Sequence, residues 1–223
     1  MKKIIVTTTI NEPTEALIKY SKLKDWKLIV VGDLKTPQNK FKKIKNIIYL
    51  NPKDQEKISK KLSDSIGWNC IQRRNIGFIL AYNMGAEIIA SVDDDNIPLK
   101  NWGKKIFVNN FVNARIFKDK YKFFDPLSVT EHKDLWHRGF PVQLIHKRNP
   151  KFFKKKRVLC LVQADLWNGD PDIDAICRIS NNPDIKFRTF SPYTTSQITP
   201  FNSQNTFISR KVIKYYPMLP WIG

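Results

Sequence analysis

Residues 86–98 read AEIIASVDDDNIP. A short, apolar, partly β-branched run, Ile88 to Val92, suits a strand buried on both faces. It ends in three consecutive carboxylates, Asp93, Asp94 and Asp95. Like charges this close repel one another, so relief from something outside the sequence is expected, and a divalent cation is the obvious candidate. Ligands of open α/β sheets bind beyond the carboxyl ends of the strands. One stretch therefore predicts both the kind of sheet and the edge at which it works.

Upstream, the pattern repeats. KIIVTT (Lys3–Thr8) suits a first buried strand, and the opening MKKIIVTTTINEP is too short and too Thr-broken in its apolar part for a signal peptide. NEPTEALIKYSKL has Pro13 near a helix start and Ala16, Leu17, Tyr20 and Leu23 at helical spacing. WKLIVVGD and NIIYL (residues 46–50) are further strands. KDQEKISKKLSDSI suits a polar, exposed helix. CIQRRNIGFILAYNMGA suits a helix with Ile76, Ile79, Leu80 and Met84 on its apolar face and Gly85 at its end. The order β-α-β-β-α-α-β implies a Rossmann-type α/β fold with a mixed, mostly parallel sheet flanked by helices. Three polar clusters then fall at strand ends and are expected to share one pocket: Thr7, Thr8 and Thr9 with Asn11 and Glu12; Asp33; and Asp93 to Asp95.

Beyond Pro98 the periodicity weakens. NWGKKIFVNNFVNARIF (residues 101–117) suits a helix or a strand pair, RVLCLVQADLW (157–167) one strand, and NGDPDIDAICRI a turn leading into a helix. No repeat, low-complexity segment or Gly/Ser linker appears. A single domain over 1–223 is expected, with a nucleotide-binding half, 1–98, and an acceptor or substrate half, 99–223.

The composition excludes several classes. Hydrophobic residues make up 42% of the 223-residue chain, enough for a globular core and not a disordered chain. No apolar run reaches the length of a membrane span. The three cysteines, Cys70, Cys160 and Cys177, have no metal-type spacing and fit a reducing compartment, so a cytoplasmic location is expected. The net charge of +19 suits nucleic acid, an anionic membrane surface or phosphorylated substrates, or a lysine-rich composition with no particular partner. The densest cluster, KFFKKKR (151–157), suits peripheral contact with an anionic membrane or a solvated loop. No nucleic-acid motif accompanies the charge, and a triple Asp repels phosphate unless metal is bound, which argues against nucleic acid as the partner.

Oxygen-rich aspartate clusters bind hard cations, and Mg²⁺ or Mn²⁺ in such sites is often completed by substrate phosphates. Arg74 and Asn75, in RRNIG (73–77), lie near a helix start and can bond the acidic cluster or a phosphate. Gly77 would let that helix pack closely. Asp170, Asp172 and Asp174 in NGDPDIDAI, or Asp165, could deprotonate an acceptor hydroxyl, or could serve as turn and helix-cap residues.

RNIGFILAYNMGAEIIASVDDDNIP resembles the Arg-Asn-x-Gly helix and DxD strand of GT-A glycosyltransferases. WHRGFPVQL (136–144), ADLWNGDPDIDAI (164–176) and PFNSQNTF (200–207) resemble, in the same order, segments of the STELLO-type glycosyltransferases. They are similar also to the plant reversibly glycosylated polypeptides, which act as UDP-arabinopyranose mutases. The resemblance implies a GT-A-like fold and a metal-dependent enzyme taking a nucleotide sugar, a UDP-sugar, together with a glycan or other acceptor. It implies Asp93 and Asp95 as metal and diphosphate ligands with Asp94 beside them. Thr8, Thr9, Glu12 and Asp33 would hold the nucleoside. Arg138 matches the mutase arginine associated with self-glycosylation, and the set of candidate catalytic residues is Arg138, Asp172 and Asp174. The mutases carry a second arginine seven residues later, where this chain has Ile145, with His146 and Arg148 close by. In these relatives the segment like PMLPWIG (217–223) runs on into an acidic Asp-Asp-x-Trp stretch, so the expectation is either a naturally short protein or a chain cut before that stretch; if the stretch is catalytic, this form would bind donor and fail to transfer.

Overall fold

The computed structural model describes residues 1–188 and 191–219. The chain forms two compact units. The first comprises Met1–Val108, Leu161–Gln163 and Ser203 onward; the second comprises Asn109–Cys160 and Ala164–Asn202.

The first unit is built on a six-stranded sheet. Strand β1 (Lys3–Thr8) leads through helix α1 (Glu15–Ser21) to β2 (Lys27–Val31), then β3 (Ile47–Leu50), helices α2 (Pro52–Ile66) and α3 (Arg74–Asn83), and β4 (Ile88–Val92). The sheet order is β3-β2-β1-β4-β9-β7, where β7 is Val162–Ala164 and β9 is Asn205–Ser209. The pairs β1–β2, β2–β3 and β1–β4 are parallel, and β4–β9 is antiparallel. This is the expected Rossmann-type, mixed but mostly parallel arrangement. The chain runs outward from β1 to β3 and returns to the other side of β1 as β4, so the strand order reverses between β1 and β4.

The strands read as unbroken apolar runs because both faces of the sheet are covered. Ile4, Val6, Ile29, Val31 and Ile89 face a core that includes Ile76, Phe78 and Ala81 of α3. Alternation sends Ile5, Leu28, Val30, Ile88 and Ala90, all buried, to the opposite face. Tyr20, Trp26, Trp102 and Phe207 form a further aromatic cluster, with the Tyr20 and Trp102 ring centres 4.9 Å apart. Gly77 is where α3 meets the sheet: a Cβ there would lie 2.4 Å from Val6 Cγ1 and 2.9 Å from Val31 Cγ2. The expected close approach is real. Gly85, at φ +79°, follows the end of α3 as anticipated.

Helix α2 is less simple than its polar sequence suggests. It breaks at Ser59 (φ −161°) and buries Gln55 and Ser63. Both side chains hold Arg73: its Nε donates to Gln55 Oε1 at 2.8 Å, and its Nη1 to Ser63 Oγ at 2.9 Å. Trp68 stacks against the same guanidinium, 3.7 Å from ring centre to Cζ.

The second unit has a three-stranded sheet, β6-β5-β8, from β5 (Phe111–Lys118), β6 (Lys151–Leu159) and β8 (Tyr193–Thr194). Helix α4 (Ala175–Asn181) follows the NGDPDID turn as expected. Residues 111–118 form one strand that pairs with β6, not a helix or a local strand pair. Two other expectations are corrected. KFFKKKR is no loop: it lies within β6, because its aromatics favour strand and the backbone ladder leaves the lysines in solvent. RVLCLVQADLW is not one strand. β6 ends at Leu159, Cys160 exchanges backbone hydrogen bonds with Asn109 and Asn110, and β7 joins the other sheet. An apolar run carries no mark of which sheet receives it. All three cysteines are free thiols. Among the described residues no helix is long and apolar enough to cross a membrane.

Candidate functional site

The ends of β1 and β4 lie side by side, and their polar residues meet there. Arg74, the first residue of α3, is 1% exposed. Its Nη2 donates to Asp93 Oδ1 at 2.6 Å and to Thr8 Oγ1 at 3.3 Å. Its Nη1 donates to Ser91 Oγ at 3.1 Å and to the carbonyl of Ser203 at 3.2 Å, while Nε is buried without an acceptor. Asp94 Oδ2 accepts hydrogen bonds from the Thr9 hydroxyl and from Asn11 Nδ2, and its carbonyl accepts one from the Thr14 hydroxyl. Thr14 also caps α1, accepting from Leu17 N at 3.2 Å. The loop after β1 and the DDD turn are thereby tied together.

These contacts answer the charge problem posed by the sequence one aspartate at a time. Asp93 is neutralised by Arg74. Asp94 is satisfied by neutral donors. Asp95 is less well supported: partial burial, then repulsion from Asp93 and Asp94, outweighs a backbone hydrogen bond and the more distant charge of Arg74, and pushes its carboxyl above the usual range. The Tyr20 hydroxyl is pushed up as well, by burial first and then by Asp93 and Asp95.

Asp33 is 3% exposed and braces the loop after β2. Its Oδ1 accepts from Leu34 N at 2.7 Å and its Oδ2 from Asn69 N at 2.9 Å. Thr36 links this loop to β1, donating to the Thr9 carbonyl and accepting from Asp33 N, both at 2.7 Å. Of the expected nucleoside residues, Thr8, Thr9 and Asp33 thus share one strand-end edge with Asp93 to Asp95. Glu12 lies exposed and ion-paired to Lys40. Asn75 points elsewhere: its amide exchanges two hydrogen bonds with the Met218 backbone, at 2.7 and 2.9 Å. Of PMLPWIG, residues 220–223 lie outside the described residues.

Among the described residues no group of three or more His, Cys, Asp or Glu is placed to hold a metal ion. The available set is all-oxygen: Asp93, half-engaged by Arg74, and the poorly stabilised Asp95. That donor chemistry fits a hard cation which takes most of its ligands from phosphate and water, as Mg²⁺ and Mn²⁺ do.

The second unit holds the candidate catalytic residues. Arg138 Nη2 lies 2.7 Å from Asp172 Oδ1, with the arginine 59% exposed and the aspartate 7%. Arg138 N also donates to the Asp172 carbonyl, and His137 Nε2 lies 3.9 Å from Asp172 Oδ2. Gly139, at φ +85°, makes the turn that presents Arg138. Asp174 is the N-cap of α4, its Oδ1 accepting from Ile176 N at 2.9 Å. Arg148, near the missing mutase arginine, is committed to buried Asp125 and to the carbonyls of Leu135 and Lys133. Thr14, Thr36 and Ser91 support the strand-end site and went unnoticed in the sequence. An N-cap Thr eighty residues from its partner aspartate leaves no local signal.

No protein-family model matches the chain. Similarity to curated proteins is clear. The probable glycosyltransferase STELLO2 of Arabidopsis thaliana is 24% identical over 228 aligned positions, covering 92% of this chain. The probable glycosyltransferase STELLO1 of the same plant is 23% identical over the same share. The STELLO-like resemblance of the sequence therefore extends over nearly the whole chain. The chain spans 29% of the length of these relatives.

Proposed function

We propose that the chain is the donor-binding and transfer portion of a glycosyltransferase that takes a nucleotide sugar, a UDP-sugar, with Mn²⁺ or Mg²⁺. The supporting observation is the acidic turn Asp93–Asp95 at the reversal of strand order between β1 and β4, tied to the Thr8–Thr14 loop. Ligands of doubly wound sheets bind at such reversals. Asp93 and Asp95 would hold the cation, which when bound would neutralise the diphosphate leaving group. Arg74 fixes the Asp93 carboxylate from behind, so that the ligand is already oriented before the donor arrives. The Thr9, Asn11 and Thr14 bonds to Asp94 keep the loop in place beside it. Arg138 presents an exposed guanidinium suited to sugar or diphosphate oxygens, with Asp172 as its positioning residue.

Thermal shift tests this reading. UDP and UDP-sugars should raise Tm when Mn²⁺ is present and not otherwise, by an amount equivalent to about 2.7 kcal/mol at a hundredfold excess over Kd. Asp93→Asn and Asp95→Asn should abolish the rise. A metal-independent rise, or unchanged shifts in both variants, overturns the proposal. The exposure of Arg138 also supports a second reading, reversible self-glycosylation there. Intact mass after incubation with a labelled UDP-sugar decides it: label retained by the wild type and absent from Arg138→Ala favours self-glycosylation over simple transfer.

A further inference from the structure

The geometry points to a second anion site, on the three-stranded sheet of the second unit, that binds a phosphate group without metal. A shallow cleft of about 390 Å³ is lined there by Asn113, Arg115, Lys155, Lys156, Arg157 and Ser191, four cations and no carboxylate. The strand register explains the convergence. Asn113 pairs with Arg157 and Arg115 with Lys155 across β5 and β6. Residues two apart share a face of a strand, so these four side chains emerge together.

Lysines on an edge strand have an ordinary explanation, since they block edge-to-edge aggregation. That accounts for much of β6. It does not account for Arg115, which sits on the central strand of the sheet with Lys155 directly opposite. Like charges in that position destabilise a sheet. Arg115 Nε and Nη2 are moreover buried and have no hydrogen-bond partner. Unsatisfied buried donors are costly, and more so when charged. The guanidinium makes its ring contact with Phe117, 5.5 Å away, which holds the side chain without satisfying its N–H groups. What the cleft lacks is an acceptor carrying at least two negative charges. A phosphate monoester or diphosphate supplies the charge and the oxygens together.

The ligand's source is either a soluble phosphate compound or a phosphorylated lipid headgroup, for which exposed Phe152 and Phe153, beside the cleft on β6, would serve as membrane contacts. The two are separated by using the intact chain in the presence of a chelator, so that the metal-dependent donor site contributes nothing and its fate is judged separately. Calorimetry with inorganic pyrophosphate is run beside sedimentation with vesicles containing a phosphatidylinositol bisphosphate, and with phosphatidylserine vesicles of equal charge. The variants are Arg115→Gln, Lys155→Glu and, as a charge-matched control distant in sequence, Lys53→Glu. Lys155→Glu gives Arg115 an internal partner and should keep or raise Tm while losing binding.

One-to-one pyrophosphate binding weakened at least tenfold by Arg115→Gln and Lys155→Glu, and unchanged by Lys53→Glu, supports the site with a soluble ligand. Binding confined to the phosphoinositide vesicles, with the same response to the variants, supports it with a lipid. Binding that falls equally in all three variants, equal binding to both vesicle types, tighter and strongly salt-dependent binding to RNA, or no binding at all overturns the site.

Discussion

The two arginine–aspartate pairs of this molecule are built in opposite senses. In the first unit the arginine is the hidden partner: Arg74 is 1% exposed and Asp93 is 19%. In the second the aspartate is hidden: Asp172 is 7% exposed and Arg138 is 59%. In each, the buried member fixes the geometry and the outer member is presented to whatever binds. The first pair offers solvent a carboxylate, suited to a cation, and the second a guanidinium, suited to oxygen atoms of a sugar or phosphate. Which side of an ion pair is buried decides which charge the protein displays.

Replacing the buried member of the first pair should do the most damage. Arg74→Met leaves Asp93, Ser91 and the Ser203 carbonyl without their shared donor, and breaking a buried pair costs about 3–5 kcal/mol. Urea unfolding should show that loss; a variant within 1 kcal/mol of wild type would mean that the pair anchors nothing.

Gly77→Ala asks how rigidly α3, which carries Arg74, is held. The added methyl meets Val6 and Val31, so about 1–3 kcal/mol of overpacking should outweigh the helix-propensity gain of about 1 kcal/mol. A stabilised variant would show that α3 can lift from the sheet without cost.

The outer member of the second pair should behave differently. Arg138→Lys keeps the charge and, the site being solvated, should change stability by less than about 1 kcal/mol. Donor binding or turnover should fall about tenfold, equivalent to about 1.4 kcal/mol, because lysine cannot reproduce a bidentate fork. A stability loss with donor affinity intact would reverse the assignment and make Arg138 the structural member.

The smallest effect concerns Asp95. Its carboxyl is raised in the folded protein, so the folded state binds that proton more tightly than the unfolded state does. The associated stability is present below the ordinary carboxylate pKa of about 4 and is lost as pH rises through the raised value. Without metal, Asp95→Asn should therefore melt slightly above wild type at pH 7 and level with it below about pH 4. An unchanged difference across that range would remove Asp95 from the charge cluster.

The two units also differed in what their sequences disclosed. β1 to β4 lie buried on both faces, so burial and strand identity coincide in one apolar run, and Lys3–Thr8 is found where the sequence put it. β6 is solvent-exposed along nearly its whole length, and no hydrophobic pattern marks it. β9 hides for another reason: NTFIS is short and opens on polar residues, and its burial is created by β4 beside it. At the site, the residues at strand ends were legible because strand ends were. Asn75 was chosen by its neighbour Arg74, but successive helical residues point about a quarter-turn apart, and its amide meets Met218 instead. Asp174 sat in the same NGDPDID run as Asp172; the start of α4 separates their environments.

The interleaving of the two units has a consequence for synthesis. β4 is complete at Val92, but the strand that covers its free edge begins only at Asn205. At translation rates of about 5–20 residues per second the edge stays bare for roughly 5–20 s. An unpaired strand edge recruits other chains, so on the ribosome this interval is the molecule's period of greatest exposure to misassembly. The segment that ends it also delivers the Ser203 carbonyl to Arg74. The nascent chain thus closes its vulnerable edge and completes the support behind Asp93 in the same step.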